Sequence, residues 1–147
     1  MHAREKIRAV IDTSVFVAGV FWQGSARDCL VRFARRQFEL VASEPILHEY
    51  AETAWEVRIR ENLALNPQPW LNWIANRATL FLADPLDQPV SADADDDKFI
   101  ECALTARAHY IVSRDRHLLR LEKPFGIAIV DDRRFKTVLD QFLTRKC

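Results

Sequence analysis

Glycine is scarce in this chain: Gly19, Gly24 and Gly126 are the only three in 147 residues. Their scatter leaves no Walker A loop, no dinucleotide fingerprint and no G-x-S-x-G elbow, so the sequence carries none of those three signatures. Cysteine is equally rare. Cys29, Cys102 and Cys147 are odd in number and lack any C-x-x-C spacing, which suggests neither a disulfide framework nor a structural zinc site and fits a reducing cytosol. His48, His109 and His117 are not spaced as a zinc set and read as surface or internally satisfied histidines. An excess of one charge is missing too. Lys and Arg number 21 and Asp and Glu number 21, so no overall basic excess announces a nucleic-acid binder. No apolar run is long enough to span a bilayer, and Met1-His2-Ala3-Arg4-Glu5-Lys6 leads into no signal-like stretch, so a soluble, cytoplasmic protein is expected.

What is present is strongly patterned. The length suits one domain over residues 1–147, large enough to bury a real core. Ile7-Arg8-Ala9-Val10-Ile11 reads as a strand that stops at Asp12-Thr13-Ser14, where Ser14 can cap a short turn. From Ser25 the positions Ala26, Cys29, Leu30, Phe33 and Ala34 have helical spacing, and Phe38 to Ala42 reads as a second strand. Ser43-Glu44-Pro45 then opens a helix with a capping hydroxyl, an early acid and a first-turn proline. That helix carries Ile46, Leu47, Tyr50 and Ala54 along one side, with Glu49 in its second turn. A further helix is expected after Pro69, a third strand over Thr79–Leu82, and a proline-bearing loop from Asp84 to Ala92.

Asp95-Asp96-Asp97 forms the acidic first turn of the next helix, which leads to a strand Tyr110–Val112 ending in Ser113-Arg114-Asp115. A short helix through Leu118 and Leu119, a strand Ile127–Val130 and a closing helix Asp132–Leu143 complete the chain. Strands alternating with helices imply βαβ units around a parallel sheet.

In such a sheet, ligands bind beyond the carboxyl ends of the strands, and two strands here end in Asp. With Asp12 and Asp115 at strand ends, Asp96 at a helix N-terminus and Glu49 inside another helix, four acids can meet at one rim. A carboxylate cluster without His or Cys suits magnesium or manganese, which take oxygen ligands, keep several waters and share the substrate's phosphate oxygens. A metal so held could generate hydroxide for attack on a phosphodiester, and Thr13, Ser14 or Ser113 could bind its waters or a phosphate. Each acid also has a plainer reading: Asp96, Asp97 and Glu101 complement a helix dipole, and Glu49 alone is a solvated helical acid. Asp12, directly after a buried strand, must be solvated, capping or functional.

Charge is unevenly distributed. Arg4, Lys6, Arg8, Arg27, Arg32, Arg35 and Arg36 crowd the first quarter, while Asp84, Asp87, Asp93, Asp95, Asp96, Asp97 and Glu101 crowd a later stretch. The helical arginines read as a solvated face on which RNA phosphates could dock. Trp70 and Trp73, three apart, share a helical face with Ile74 and mark either core or an exposed partner surface.

The chain resembles PIN-domain ribonucleases, especially the VapC-like toxins of bacterial toxin–antitoxin pairs. The resemblance rests on four segments in order: Val10-Ile11-Asp12-Thr13-Ser14-Val15-Phe16, Ser43-Glu44-Pro45-Ile46-Leu47-His48-Glu49, Asp96-Asp97-Lys98-Phe99-Ile100-Glu101-Cys102-Ala103-Leu104 and Tyr110-Ile111-Val112-Ser113-Arg114-Asp115. It implies a three-layer α/β/α sandwich around a parallel sheet, and magnesium- or manganese-dependent endoribonuclease activity. It further implies a homodimer, RNA as substrate and inhibition by a cognate antitoxin. Carried over residue by residue, Asp12, Glu49, Asp96 and Asp115 are the metal-site and catalytic acids, Ser14 and Ser113 support them, and Asp97 is the alternative to Asp96. The stretch Trp55–Trp73, rich in Trp and Arg, departs from the family pattern. The alternative function is a catalytically silent module of the same fold that binds RNA or protein. A haloacid-dehalogenase-type phosphatase would want a second Asp where Ser14 stands. A receiver domain would want its acidic pair beside a strand end, whereas Asp96-Asp97 opens a helix.

Overall fold

A computed structural model describes residues 5–91 and 94–145. Met1, His2, Ala3, Arg4, Ala92, Asp93 and Cys147, named above, lie outside the described residues. Five strands form one parallel sheet: β1 (Arg8–Ile11), β2 (Glu39–Ala42), β3 (Thr79–Leu80), β4 (Tyr110–Val112) and β5 (Ala128–Val130), in the order β3-β2-β1-β4-β5. β1 is central, and Ala9, Val10 and Ile11 are buried on both faces, as continuous apolar strands of parallel sheets are. The described residues hold seven α-helices: α1 (Thr13–Phe21), α2 (Ser25–Ala34), α3 (Glu44–Arg60), α4 (Gln68–Arg77), α5 (Asp97–Thr105), α6 (Arg116–Leu119) and α7 (Asp132–Arg145).

The chain moves from β1 through β2 to β3 in one direction, then returns across the sheet to β4 and β5. By the right-handed rule for parallel crossovers, the reversal carries α5 to the face opposite the helices of the first half, an α/β/α sandwich. α1 packs on α2 and α3, α2 packs on α7, and α5 lies against β1, β2 and β4. The reversal creates a switch point between β1 and β4, where Ile11 pairs with Val112 and the Asp12 N–H bonds Val112 O at 2.9 Å.

Three local expectations differ from the structure. The short turn capped by Ser14 is a nine-residue helix, α1, capped by Asp12, whose carboxylate accepts from Val15 N. Its residues Thr13, Val15, Phe16, Val17, Gly19 and Val20 are buried, so the helix has no polar face from which a period could be read. Ser43 stands at the N-cap of α3 but makes no capping bond; its hydroxyl is hydrogen-bonded with Cys102. The third strand stops at Leu80, and Leu82 is 95% exposed.

The arginines of α2 are less solvated than expected. Arg27 donates to Gly19 O at 2.9 Å and Val20 O at 2.7 Å, closing the end of α1, and lies over the Trp70 ring. Arg32 reaches Asp140 of α7 at 2.7 Å. Trp70 and Trp73 are half-buried, meet edge to face at 5.7 Å, and flank an apolar groove of about 320 Å³ with Leu30, Val31, Ala34 and Pro69. His109 is exposed, and its Nδ1 accepts from Arg8 N at 2.9 Å. No helix of the described residues is long and apolar enough to cross a membrane.

Candidate functional site

Asp12 leaves β1 as the cap of α1, which turns its carboxylate back over the strand end. Oδ1 accepts from Val15 N at 3.0 Å and from Ser14 Oγ at 2.8 Å, while Oδ2 accepts from Ser113 Oγ at the end of β4. Asp12 is only 3% exposed. Burial lifts its carboxyl above the ordinary value of 3.8, bonds from Ser113, Val15 N–H and Ser14 oppose that lift, and the Asp115 charge adds to it. Ser113, itself fully buried, also accepts from Asp115 N at 2.9 Å, so Ser113 ties the two strand-end acids together. Asp115 caps α6 through His117 N at 2.8 Å.

Two groups brace this rim. The Tyr50 ring stacks on Phe16 at 4.3 Å and its hydroxyl donates to Ile11 O, fixing the end of β1. Burial, then the charges of Asp12, Cys102 and Glu49, push its phenol well above 10.0, so it stays neutral. Arg114 grips Asp132 through two bonds of 2.9 and 2.8 Å. Burial, the largest single influence, would raise Asp132, but the Arg114 hydrogen bond, a backbone bond and the charges of Arg114 and Arg133 together outweigh it and the carboxyl lies below 3.8.

The remaining expected residues divide. Glu49 is half-buried on α3; its Oε2 accepts from Thr13 Oγ1, next to Asp12, and its Oε1 from Lys98 Nζ on α5. Asp96 stands at the N-cap position of α5 without a side-chain capping bond and has one oxygen shielded from solvent. Asp97 turns elsewhere: its oxygens accept from Val90 N at 3.0 Å and Ser91 N at 2.8 Å and hold the preceding loop. The structure therefore brings Asp12, Ser14, Ser113 and Asp115 together and joins Glu49 to them through Thr13, while the Asp97 oxygens are bonded to the loop. Lys98, Tyr50 and Arg114 escaped the sequence reading. Lys98, the one cation in the run from Asp95 to Glu101, was the visible signal.

Among the described residues, no three His, Cys, Asp or Glu side chains stand together as a ready-made metal centre. The chemistry of the donors nonetheless fits a hard divalent cation. Magnesium and manganese need only one or two carboxylates, with waters and substrate phosphate oxygens filling the rest. A carboxylate that burial makes reluctant to ionise, beside a second acid, is relieved by a nearby cation.

The sequence profile of one family matches residues 8–117, and that family is described as PIN domain. The match runs from β1 to α6 and includes every expected site residue. Among curated proteins, none matches the chain.

Proposed function

The chain belongs to the PIN-domain family, whose members are generally metal-dependent nucleases, and from that premise we propose a divalent-metal-dependent endoribonuclease that hydrolyses RNA phosphodiester bonds. The observation that carries the reading is the buried, charge-reluctant Asp12 tied through Ser113 to Asp115 at the β1/β4 switch point. Asp12 and Asp115 would hold Mg2+ or Mn2+, with Glu49 and Asp96 as the further acids of the same site. When bound, such a cation lowers the pKa of a water and offsets charge on phosphate oxygens. Ser14 and Ser113 hold both oxygens of Asp12 in place, so the carboxylate is oriented before any ligand arrives. Tyr50 and the Arg114–Asp132 pair keep the two strand ends fixed around it.

The finer reading is a VapC-like toxin of a toxin–antitoxin pair, acting in the cytoplasm as a homodimer and inhibited by a cognate antitoxin. Its support is the order of the four acid-bearing segments. The apolar groove beside Trp70 and Trp73 is the surface assigned to the antitoxin or to the second copy. One observation favours the silent binding module: both Glu49 oxygens are bonded to protein donors, Thr13 and Lys98.

The test is cleavage of end-labelled RNA by the purified chain in manganese or magnesium, beside Asp12→Asn. Metal-dependent cleavage that falls by orders of magnitude in Asp12→Asn is expected. Near-wild-type cleavage by folded Asp12→Asn refutes the site, and RNA binding indifferent to both metal and Asp12 establishes the module. Expression should slow bacterial growth, with relief by Asp12→Asn; equal toxicity of the two proteins would remove the nuclease-driven toxin role.

A further inference from the structure

A ribonuclease must bring a polyanion to its acids, and the surface beside this site is built against that. A groove of about 1100 Å³ between α3, the segment following β3 and the start of α5 is lined by Glu44, Glu49, Glu52, Glu56, Asp95 and Glu101. Among its lining residues Lys98 is the only lysine or arginine. A wall of one sign repels a phosphate backbone along its length and leaves one point where a phosphate oxygen meets a positive partner.

Lys98 is placed at that point by its neighbours. It is the second residue of α5, and its Nζ donates to Glu49 Oε1. Glu49 is fixed in turn by Thr13, the first residue of α1 and the neighbour of Asp12. The Thr13–Glu49–Lys98 chain thus ties the ammonium to the rim that carries Asp12. The two charged side chains are 21% and 29% exposed, so the pair opens to solvent. An ammonium has three N–H donors, and Glu49 takes one. Arg114, whose charge interacts with that of Asp12, donates two bonds to Asp132.

We propose that Lys98 is the residue that receives an RNA backbone phosphate at this site, and that Glu49 is its positioning residue. The inference rests on the ribonuclease reading and assigns the substrate contact of that same site. Glu49 holds the ammonium at the inner end of the acidic groove, and the flanking carboxylates turn the rest of the strand away from α3.

The experiment measures binding of short single-stranded RNAs to the full chain by fluorescence anisotropy across salt, with manganese present and Asp12→Asn as the non-cleaving background. Adding Lys98→Met should weaken binding about tenfold, uniformly across RNA sequences. The slope of log affinity against log salt should become shallower by about 0.7. Lys98→Arg should restore most of both. Glu49→Gln should weaken binding less and keep the slope, because the ammonium charge remains. Lys98→Gln replaces Lys98→Met if the latter melts before the assay temperature. A folded, charge-neutral Lys98 variant with the background slope overturns the proposal, even if its cleavage is lost, because that pattern belongs to a structural ion pair. Cleavage assays on the Asp12 protein separate the two ideas. No metal-dependent cleavage with the Lys98 slope change intact overturns the ribonuclease reading alone. Asp12-dependent cleavage with an unchanged slope overturns Lys98 alone.

Discussion

Replacing Asp12 by Asn should make the metal-free protein more stable while abolishing its chemistry. Asn caps helices as well as Asp does, and its carbonyl oxygen can keep the bonds from Val15 N and Ser14 Oγ. Only the Ser113 contact must reverse, with Ser113 Oγ accepting from the new amide. That oxygen already accepts from Asp115 N and has a second lone pair to offer. Turning charge-assisted bonds into neutral ones costs about 1 kcal/mol each at most. Against this stands the burden of a buried ionised carboxylate, several kcal/mol before its hydrogen bonds are counted. The raised carboxyl fixes the sign of the balance: the charged form is the disfavoured one. The net gain at pH 7 should be about 1–3 kcal/mol, or about 3–8 °C in Tm for a chain of this size.

The pH dependence has a definite direction. Because the folded carboxyl lies above 3.8, the native state holds its proton where the unfolded chain has lost it. The wild type therefore has its full Asp12 contribution below the unfolded value and loses it as pH rises through the folded value. The advantage of Asp12→Asn should close as pH falls toward that window. Manganese should reverse the order: at about 100 times its Kd it adds about 2.7 kcal/mol to the wild type and little to the variant. Thermal melting in EDTA and in manganese, each across pH, measures all of this. The reasoning fails if Asp12→Asn melts below wild type in EDTA at pH 7 and the gap does not close in acid.

Asp132→Asn should cost about 1–3 kcal/mol in urea unfolding at pH 7, since it removes the negative charge and one of the two oxygens that accept from Arg114. Asp132 lies below 3.8, so that stability is present above the unfolded value and lost as pH falls through the folded one; a penalty that stays constant into acid would refute the pairing. Gly19→Ala should cost about 1–3 kcal/mol, because a Cβ there would sit 2.7 Å from Leu30 Cδ1 and 3.0 Å from Ala26 O; an unchanged melt would show that α1 and α2 can separate freely. In a Cys147→Ser protein, Cys29 and Cys102 should resist a thiol reagent at pH 8 until the chain unfolds, since burial pushes both thiols up to about 12. Rapid labelling of the native protein would contradict that burial.

Much of the fold was legible because its signals are local. The apolar runs at β1 and β4 stop at polar residues, and their parallel pairing then delivers Asp12 and Asp115 to one rim. α1 was hidden because a helix buried on nearly every side has no period, and its cap could only be assigned once the Asp12 carboxylate was seen bonding Val15 N. β3 was drawn too long because Phe81 and Leu82 are apolar, yet the edge strand leaves Leu82 in solvent. The order of the strands is a matter of long-range pairing that no local pattern encodes.

The acids beyond the two strand ends were harder to sort, for a geometric reason. Successive helical residues point about 100° apart, so Asp96, Asp97 and Lys98 face three directions, and sequence alone does not reveal how α5 is rotated about its axis. The structure settles that rotation through partners: Asp97 faces the loop at Val90 and Ser91, and Lys98 faces Glu49. Asp97 holds the loop, while Asp96 stands at the N-cap of α5 with one oxygen shielded from solvent. With Lys98 spent on Glu49, the second acid of the series carries a cation of the protein's own. A sequence reading that counts carboxylates treats Glu49 as one more ligand. Thr13 and Lys98 already bond both of its oxygens, which is why we propose that it also positions a positive charge at the edge of the acidic groove.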